Sequence, residues 1–234
     1  MAIAPLPLHQ KLMLLMLRDD TGTMEPHTGS YPLALGGAIL AELMLVDAVS
    51  IDEDKQRTVR RARPQPLKDP ILDECLTLVT KAKKPRGAAH WVAAFGARPR
   101  LRHRIAEQLC REGILEDSED KVLFFFTRAV YPTIKPEPER QLVRSMREAV
   151  MGSSDRLDAD TVLLIALAHA TGLLPIHFER RELKERKERL KQITTGDLVG
   201  GATADAVRAA QQAAQAAAMS AIITSTVITP TMHG

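Results

Sequence analysis

Residues 121–134 (KVLFFFTRAVYPTI) constrain this chain most, because they concentrate three of its five Phe residues, Phe124, Phe125 and Phe126, and one of its two Tyr residues, Tyr131. In an extended strand successive side chains point to opposite faces, so Val122, Phe124 and Phe126 would line one face while Leu123 and Phe125 line the other. Both faces are apolar. Such a strand is either interior, the commoner outcome, or buries one face in its own core and offers the other to an apolar partner outside.

With 234 residues and 45% apolar content the chain can bury a proper core, in one domain or two small ones. Its formal charge of +3 conceals an asymmetry: residues 55–111 hold 15 Lys and Arg against 4 Asp and Glu, a net +11, and the remainder carries −8. A lopsided field of this kind favours an anionic partner, whether phospholipid head groups, nucleic acid or an acidic protein. Cys75 and Cys110 lie in helical patterns with no CxxC or Cys/His spacing, and read as small apolar side chains in a reducing compartment. The first twenty residues lack an early basic region and carry Pro5, Pro7, Arg18, Asp19 and Asp20, which argues against a signal peptide. Apolar runs at 161–168 and 216–228 are shorter than the ~20 residues of a membrane span. Membrane contact is therefore expected to be peripheral, from the cytoplasm.

Periodicity and turn residues predict a mainly helical chain. Helices are expected at 8–17, closing at Asp19-Asp20-Thr21-Gly22; at 35–45, strongly apolar; and at 70–81, with Asp69 as N-cap and Pro70 in the first turn. After a basic linker with Lys81, Lys83, Lys84 and Arg86, residues 88–95 hold the only tryptophan, Trp91, which reads as a packing anchor. Leu101, Ile105 and Leu109 then recur at i, i+4 and i+8 on a helix from Pro99 to Gly113. Beyond Pro138 an amphipathic helix should bury Leu142, Val143, Met146 and Val150 and expose Arg140, Arg144 and Arg147. Asp158 or Asp160 should cap a core helix that contains His169 and ends at Gly172. A solvated charged helix, ERRELKERKERLKQ, and a final Ala-rich helix at 202–225 follow. Twice, an apolar-Ala-Glu helix is followed by an apolar pair, an acidic turn and a strand: LAELMLVDAVSIDEDKQRTVRR and IAEQLCREGILEDSEDKVLFFF. This reads as a weak internal repeat of a winged-helix-like unit, a helix plus a hairpin.

Little in the sequence carries catalysis. P-loop, GxGxxG, HExxH and GxSxG motifs are absent, and the seven histidines are scattered. Asp155, Asp158 and Asp160 are more simply cap residues than metal ligands, and Asp73, Glu74 and Cys75 lack a partner base. The chain reads as a non-enzyme without cofactor or metal. The basic helix is the better signal. At 100° per residue Arg102 falls at the edge of the Leu101–Ile105–Leu109 face with Arg98 beside it, whereas Arg100, Arg104 and Arg111 fall towards water. Arg98 and Arg102 can rim an anion pocket near the free N–H groups of the helix start.

Six stretches in order, LPLHQKLMLLMLRDDTG, GGAILAELML, PILDECLTLV followed by Trp91, RIAEQLCREGIL, LFFFTRAVYPT and TVLLIALAHATGLL, resemble the Golgi phosphoprotein 3 family over about residues 6–192. The Ala- and Arg-rich composition suggests a bacterial member. The resemblance implies one mainly α globular domain over residues 1–234, with winged-helix-like helix-hairpin units and a protruding apolar β-hairpin at 121–134. It also implies a peripheral membrane protein that reads phosphatidylinositol 4-phosphate, on the cytosolic face of the Golgi in eukaryotic relatives. Of the family's pocket, an arginine matches Arg102. A second basic residue falls on Pro99, where Arg98 or Arg100 would substitute; a further arginine falls on Gly36, and an aromatic residue has its nearest counterpart in Tyr31. Leu123, Phe124, Phe125, Phe126, Arg128, Val130 and Tyr131 are the expected membrane or homo-oligomer contacts of the hairpin.

Two alternatives fit the same residues. A winged-helix nucleic-acid binder would read with residues 99–112, but its acidic turns, Asp52 to Asp54 and Glu116 to Asp120, would be repelled by phosphates. A protein-interaction module using the hairpin between copies is compatible with lipid binding. The favoured expectation is anionic lipid binding through a basic pocket and an apolar hairpin. Surface cations contribute only ~1 kcal/mol each near an anionic leaflet, so apolar insertion has to add to them.

Overall fold

Two helices that are apolar on every side form the centre of the molecule, α2 (Tyr31–Leu45) and α7 (Ala159–Ala170). A helix without a polar face must be surrounded, and these are. The structure, a computed structural model, describes residues 6–25, 31–52, 58–62, 66–122 and 126–199. Helices α1 (Leu8–Met16), α3 (Pro70–Lys81) and α4 (Ala88–Gly96) pack around α2, and α5 (Leu101–Arg111) lies against α1. On the far side α6 (Glu137–Met151), α8 (Leu174–His177) and α10 (Lys187–Thr195) cover α7, with α9 (Arg180–Glu185) beside α10. Cores of both halves merge into one apolar cluster, so the described residues make a single, mainly helical domain.

The predicted caps form. Asp69 accepts from Ile71 N at 2.8 Å and Leu72 N at 2.9 Å, and Asp158 accepts from Thr161 N at 2.8 Å. Each such cap is worth about 1 kcal/mol. Gly113 and Gly172 end α5 and α7 at φ of 70° and 73°, conformations that cost other residues a Cβ clash. Trp91 is buried against Phe95, as expected of an anchor. Burial pushes the Cys75 thiol up to about 12, which leaves it an inert apolar side chain. A polar tie fixes α5 in place: His9 Nε2, fully buried, lies 3.4 Å from both Asp69 Oδ2 and Gln108 Oε1, and Gln108 Nε2 donates to Asp69 at 3.1 Å.

Sequence expectations about three features of the helices need correction. The charged run 179–192 is not one helix, because it breaks at Arg186 into α9 and α10. His169 is exposed at the last turn of α7 rather than in the core. Arg147 does not point freely to water: its guanidinium lies 5.2 Å over the Phe178 ring and pairs with Glu182, so it covers the core with its stem.

The helix-then-hairpin order occurs twice. After α2, β1 (Val49–Ile51) pairs antiparallel with β2 (Thr58–Arg61), and β3 (Arg86–Gly87) adds a third strand. After α5, β4 (Ser118–Val122) pairs antiparallel with β5 (Phe126–Val130), with Val122 opposite Phe126 and Ser118 opposite Val130. The segment expected as an acidic turn therefore begins a strand at Ser118, and residues 121–134 are not one continuous strand. Cross-strand charge explains the shift, since Asp120 receives both Nε and Nη2 of Arg128 at 3.1 and 2.7 Å. Leu123, Phe124 and Phe125 lie outside the described residues, as does the Ala-rich segment 202–225.

Candidate functional site

A cleft of about 360 Å³ opens between the start of α2 and the turn that enters α5. Close crossing of α2 and α4 creates it. A Cβ added to Gly36 would sit 2.1 Å from Val92 O, and one added to Gly96 would sit 2.2 Å from Pro32 O. Only glycine permits both contacts. The crossing brings Tyr31, Pro32 and Leu35 against Arg98, Arg100, Leu101, Arg102 and His103. Arg100 takes a left-handed φ of 53° as the residue ahead of α5, and no side chain caps that helix. This backbone costs a non-glycine residue about 1 kcal/mol and turns the chain so that Arg98, Arg100 and Arg102 share one opening.

The four arginines near this helix start have different partners. Arg98 donates to Glu74 Oε1, Nη2 at 2.6 Å and Nε at 2.7 Å, and Arg104 donates to Glu74 Oε2. Burial alone would raise the Glu74 carboxyl, but the hydrogen bonds from Arg104 and Arg98 outweigh it and hold the group below its ordinary range. Arg104, expected on the solvent side, is instead half of this clamp. Arg100 reaches Glu107 at 3.2 Å and is mostly exposed, so that pair is weak. Arg102 forms no ion pair among the described residues.

Arg102 Nη2 lies 3.2 Å from His103 Nε2, and His103 Nδ1 lies 2.9 Å from Tyr131 Oη. A guanidinium can only donate. His103 Nε2 therefore accepts, its proton sits on Nδ1, and Nδ1–H donates to Tyr131. The imidazole is neutral in this arrangement, in keeping with burial, Arg102 and Arg100, which together hold its pKa below the usual 6.5.

The structure brings together Tyr31, Arg98, Arg100 and Arg102. Gly36 does not line the cleft; it is buried one turn along α2, where it lets α4 approach. Of the hairpin residues, Val130 and Tyr131 are buried and anchor its base rather than form an outer surface. Tyr131 N donates to Gly22 O at 3.0 Å, and its ring faces His103. Arg128 is exposed on β5, and of Phe126 only the backbone is described. Sequence reasoning missed His103, Pro32 and Gly96. A histidine directly after the pocket arginine was the available signal for the first, whereas Gly96 has meaning only once α4 is seen to cross α2.

Among the described residues no helix is long and apolar enough to cross a membrane. The sequence model of the Golgi phosphoprotein 3 (GPP34) family matches residues 8–210, and the chain belongs to that family.

Proposed function

We propose that this Golgi phosphoprotein 3 family member is a peripheral membrane protein that holds a phosphorylated lipid head group in the Tyr31–Arg102 cleft. One observation carries the reading: the cleft gathers three arginines beside an aromatic ring, and Arg102, which reaches into it, has no carboxylate partner among the described residues. A guanidinium fork fits phosphate oxygens in pairs. Arg98, fixed by Glu74, supplies a rigid wall, and Tyr31 offers a ring face to a sugar or inositol. Phosphatidylinositol 4-phosphate is the head group to which the family resemblance points. The hairpin would add the apolar contact that charge alone does not supply. Its two-stranded sheet, order β4-β5, also has unpaired outer edges among the described residues, which suits pairing with a second copy.

The test is co-sedimentation with neutral vesicles, vesicles of simple anionic lipid and vesicles containing phosphatidylinositol 4-phosphate, each at two salt concentrations. Selective pelleting with the last supports a built pocket. Equal, salt-sensitive pelleting with both anionic types reduces the reading to a basic surface, and no pelleting with any refutes it.

A further inference from the structure

Arg102, which lines the first cleft, also lines a second one of about 400 Å³. This one is formed by the turn after α1 and by strand β5, and it contains Arg18, Thr23, Met24, Arg128 and Val130 besides Arg102. We propose that it is a second anion subsite, which takes a phosphate group while the first cleft holds another, with Arg102 between the two.

Its two walls are tied together through the residues next to them. Tyr131 N donates to Gly22 O at 3.0 Å, Thr133 N to Asp19 O at 3.1 Å, and Thr133 Oγ1 to Asp19 Oδ1 at 3.0 Å. A Cβ on Gly22 would sit 2.2 Å from the Tyr131 carbonyl carbon, so turn and hairpin base meet backbone to backbone. The backbone at Arg18 and at Arg128 is thus held in place before any ligand arrives, which leaves only the two side chains to order on binding.

Each guanidinium keeps donors in reserve. Arg carries five N–H groups. Arg128 uses Nε and Nη2 on Asp120, Arg102 uses Nη2 on His103, and Arg18 meets Asp20 only at 3.7 Å with both side chains well exposed. Pairs this open contribute little, so an anion can compete with Asp20 and Asp120. Apolar Met24 and Val130 complete the cleft and limit its hydration on one side. The phosphate can come from two sources: a second phosphate on the head group held in the first cleft, or the phosphodiester of a neighbouring lipid.

The first-cleft reading enters only through the shared Arg102, and the variants keep the two apart. Affinity is measured for the full chain, by calorimetry with a soluble inositol bisphosphate and by co-sedimentation with phosphatidylcholine vesicles containing phosphatidylglycerol. Arg128→Gln and Arg18→Gln are each expected to weaken binding about fivefold. Asp120→Asn, which frees Arg128 and removes a competing charge, is expected to strengthen it, an outcome that a purely structural role for Arg128 does not produce. Losses in calorimetry assign the phosphate to the same head group, and losses on vesicles alone assign it to a neighbouring lipid. Both uphold the proposal. Tyr31→Ala and Arg100→Gln touch the first cleft only; if neither changes binding while Arg128→Gln weakens it, the first-cleft reading fails and this cleft stands as an anion site by itself. Wild-type affinity of both Arg128→Gln and Arg18→Gln for both probes overturns it, as does failure of the wild-type protein to bind either probe.

Discussion

Arg102 donates to the neighbouring imidazole of His103 at 3.2 Å, and this one hydrogen bond fixes the tautomer of a histidine whose other nitrogen holds the hairpin base. Cleft and hairpin are thereby linked through a titratable ring.

A pH dependence follows from this link. His103 is held neutral below its usual pKa, so the unfolded chain takes up a proton at 6.5 before the folded one does. Its contribution to stability is present above 6.5 and is lost as pH falls towards the lower folded value. An anion beside Arg102 and Arg100 cancels part of the repulsion that keeps the ring neutral, and so raises its pKa. NMR titration of the His103 ring should give a pKa below 6.5 in the free protein and a higher one with inositol phosphate bound. A ring titrating at 6.5 in both states would contradict the coupling.

Glu139 sets the opposite trend at the hairpin's other neighbour. Burial, helped by a hydrogen bond with Asp19, pushes its pKa up to about 8, and its Oε2 is buried without a hydrogen-bond partner among the described residues. The folded protein then binds a proton that the unfolded chain releases near 4.5, so this contribution is fully present below 4.5 and is lost as pH rises through 8. Glu139→Gln should remove the trend. Urea unfolding at pH 5 and pH 8 should show wild-type stability falling by an amount on the order of 1–3 kcal/mol more than that of the variant.

Gly36 gives a prediction about packing rather than charge. Its missing Cβ leaves room for Val92 O, and a methyl at 2.1 Å forces α2 and α4 apart. Gly36→Ala should destabilise by about 1–3 kcal/mol in urea unfolding. Gly36→Arg should destabilise more and should not add a phosphate ligand, because the site is buried between the helices. Unchanged stability of Gly36→Ala would show that this crossing is looser than the geometry states.

Much of this fold was legible because local physics decides it. Asp69 with Pro70, Asp158, and the glycines at 113 and 172 mark helix ends by hydrogen bonding and backbone freedom alone. The recurrence of Leu101, Ile105 and Leu109 located α5, and hence the edge position of Arg102. Legibility stopped where a partner distant in sequence decides the outcome. Arg104 reads as a solvent arginine until Glu74, thirty positions away, is seen to hold it. Ser118, Glu119 and Asp120 read as part of an acidic turn until Arg128 is placed opposite Asp120. Tyr131 reads as part of a greasy surface until Gly22 and His103 are brought to it. Arg98, Arg100 and Arg102 were singled out from the sequence, but helix periodicity put Arg100 towards water, and which of the three lacks a carboxylate partner among the described residues was not legible.

The most direct test of the central claim is co-sedimentation of Arg102→Glu with vesicles containing phosphatidylinositol 4-phosphate, alongside far-ultraviolet circular dichroism of the same sample. Arg102 is half-buried with only His103 as a hydrogen-bond partner among the described residues, so helical content should not change. Binding should fall at least about tenfold, since the substitution replaces a phosphate fork with a repelling charge. Wild-type binding by a folded Arg102→Glu variant would contradict the account.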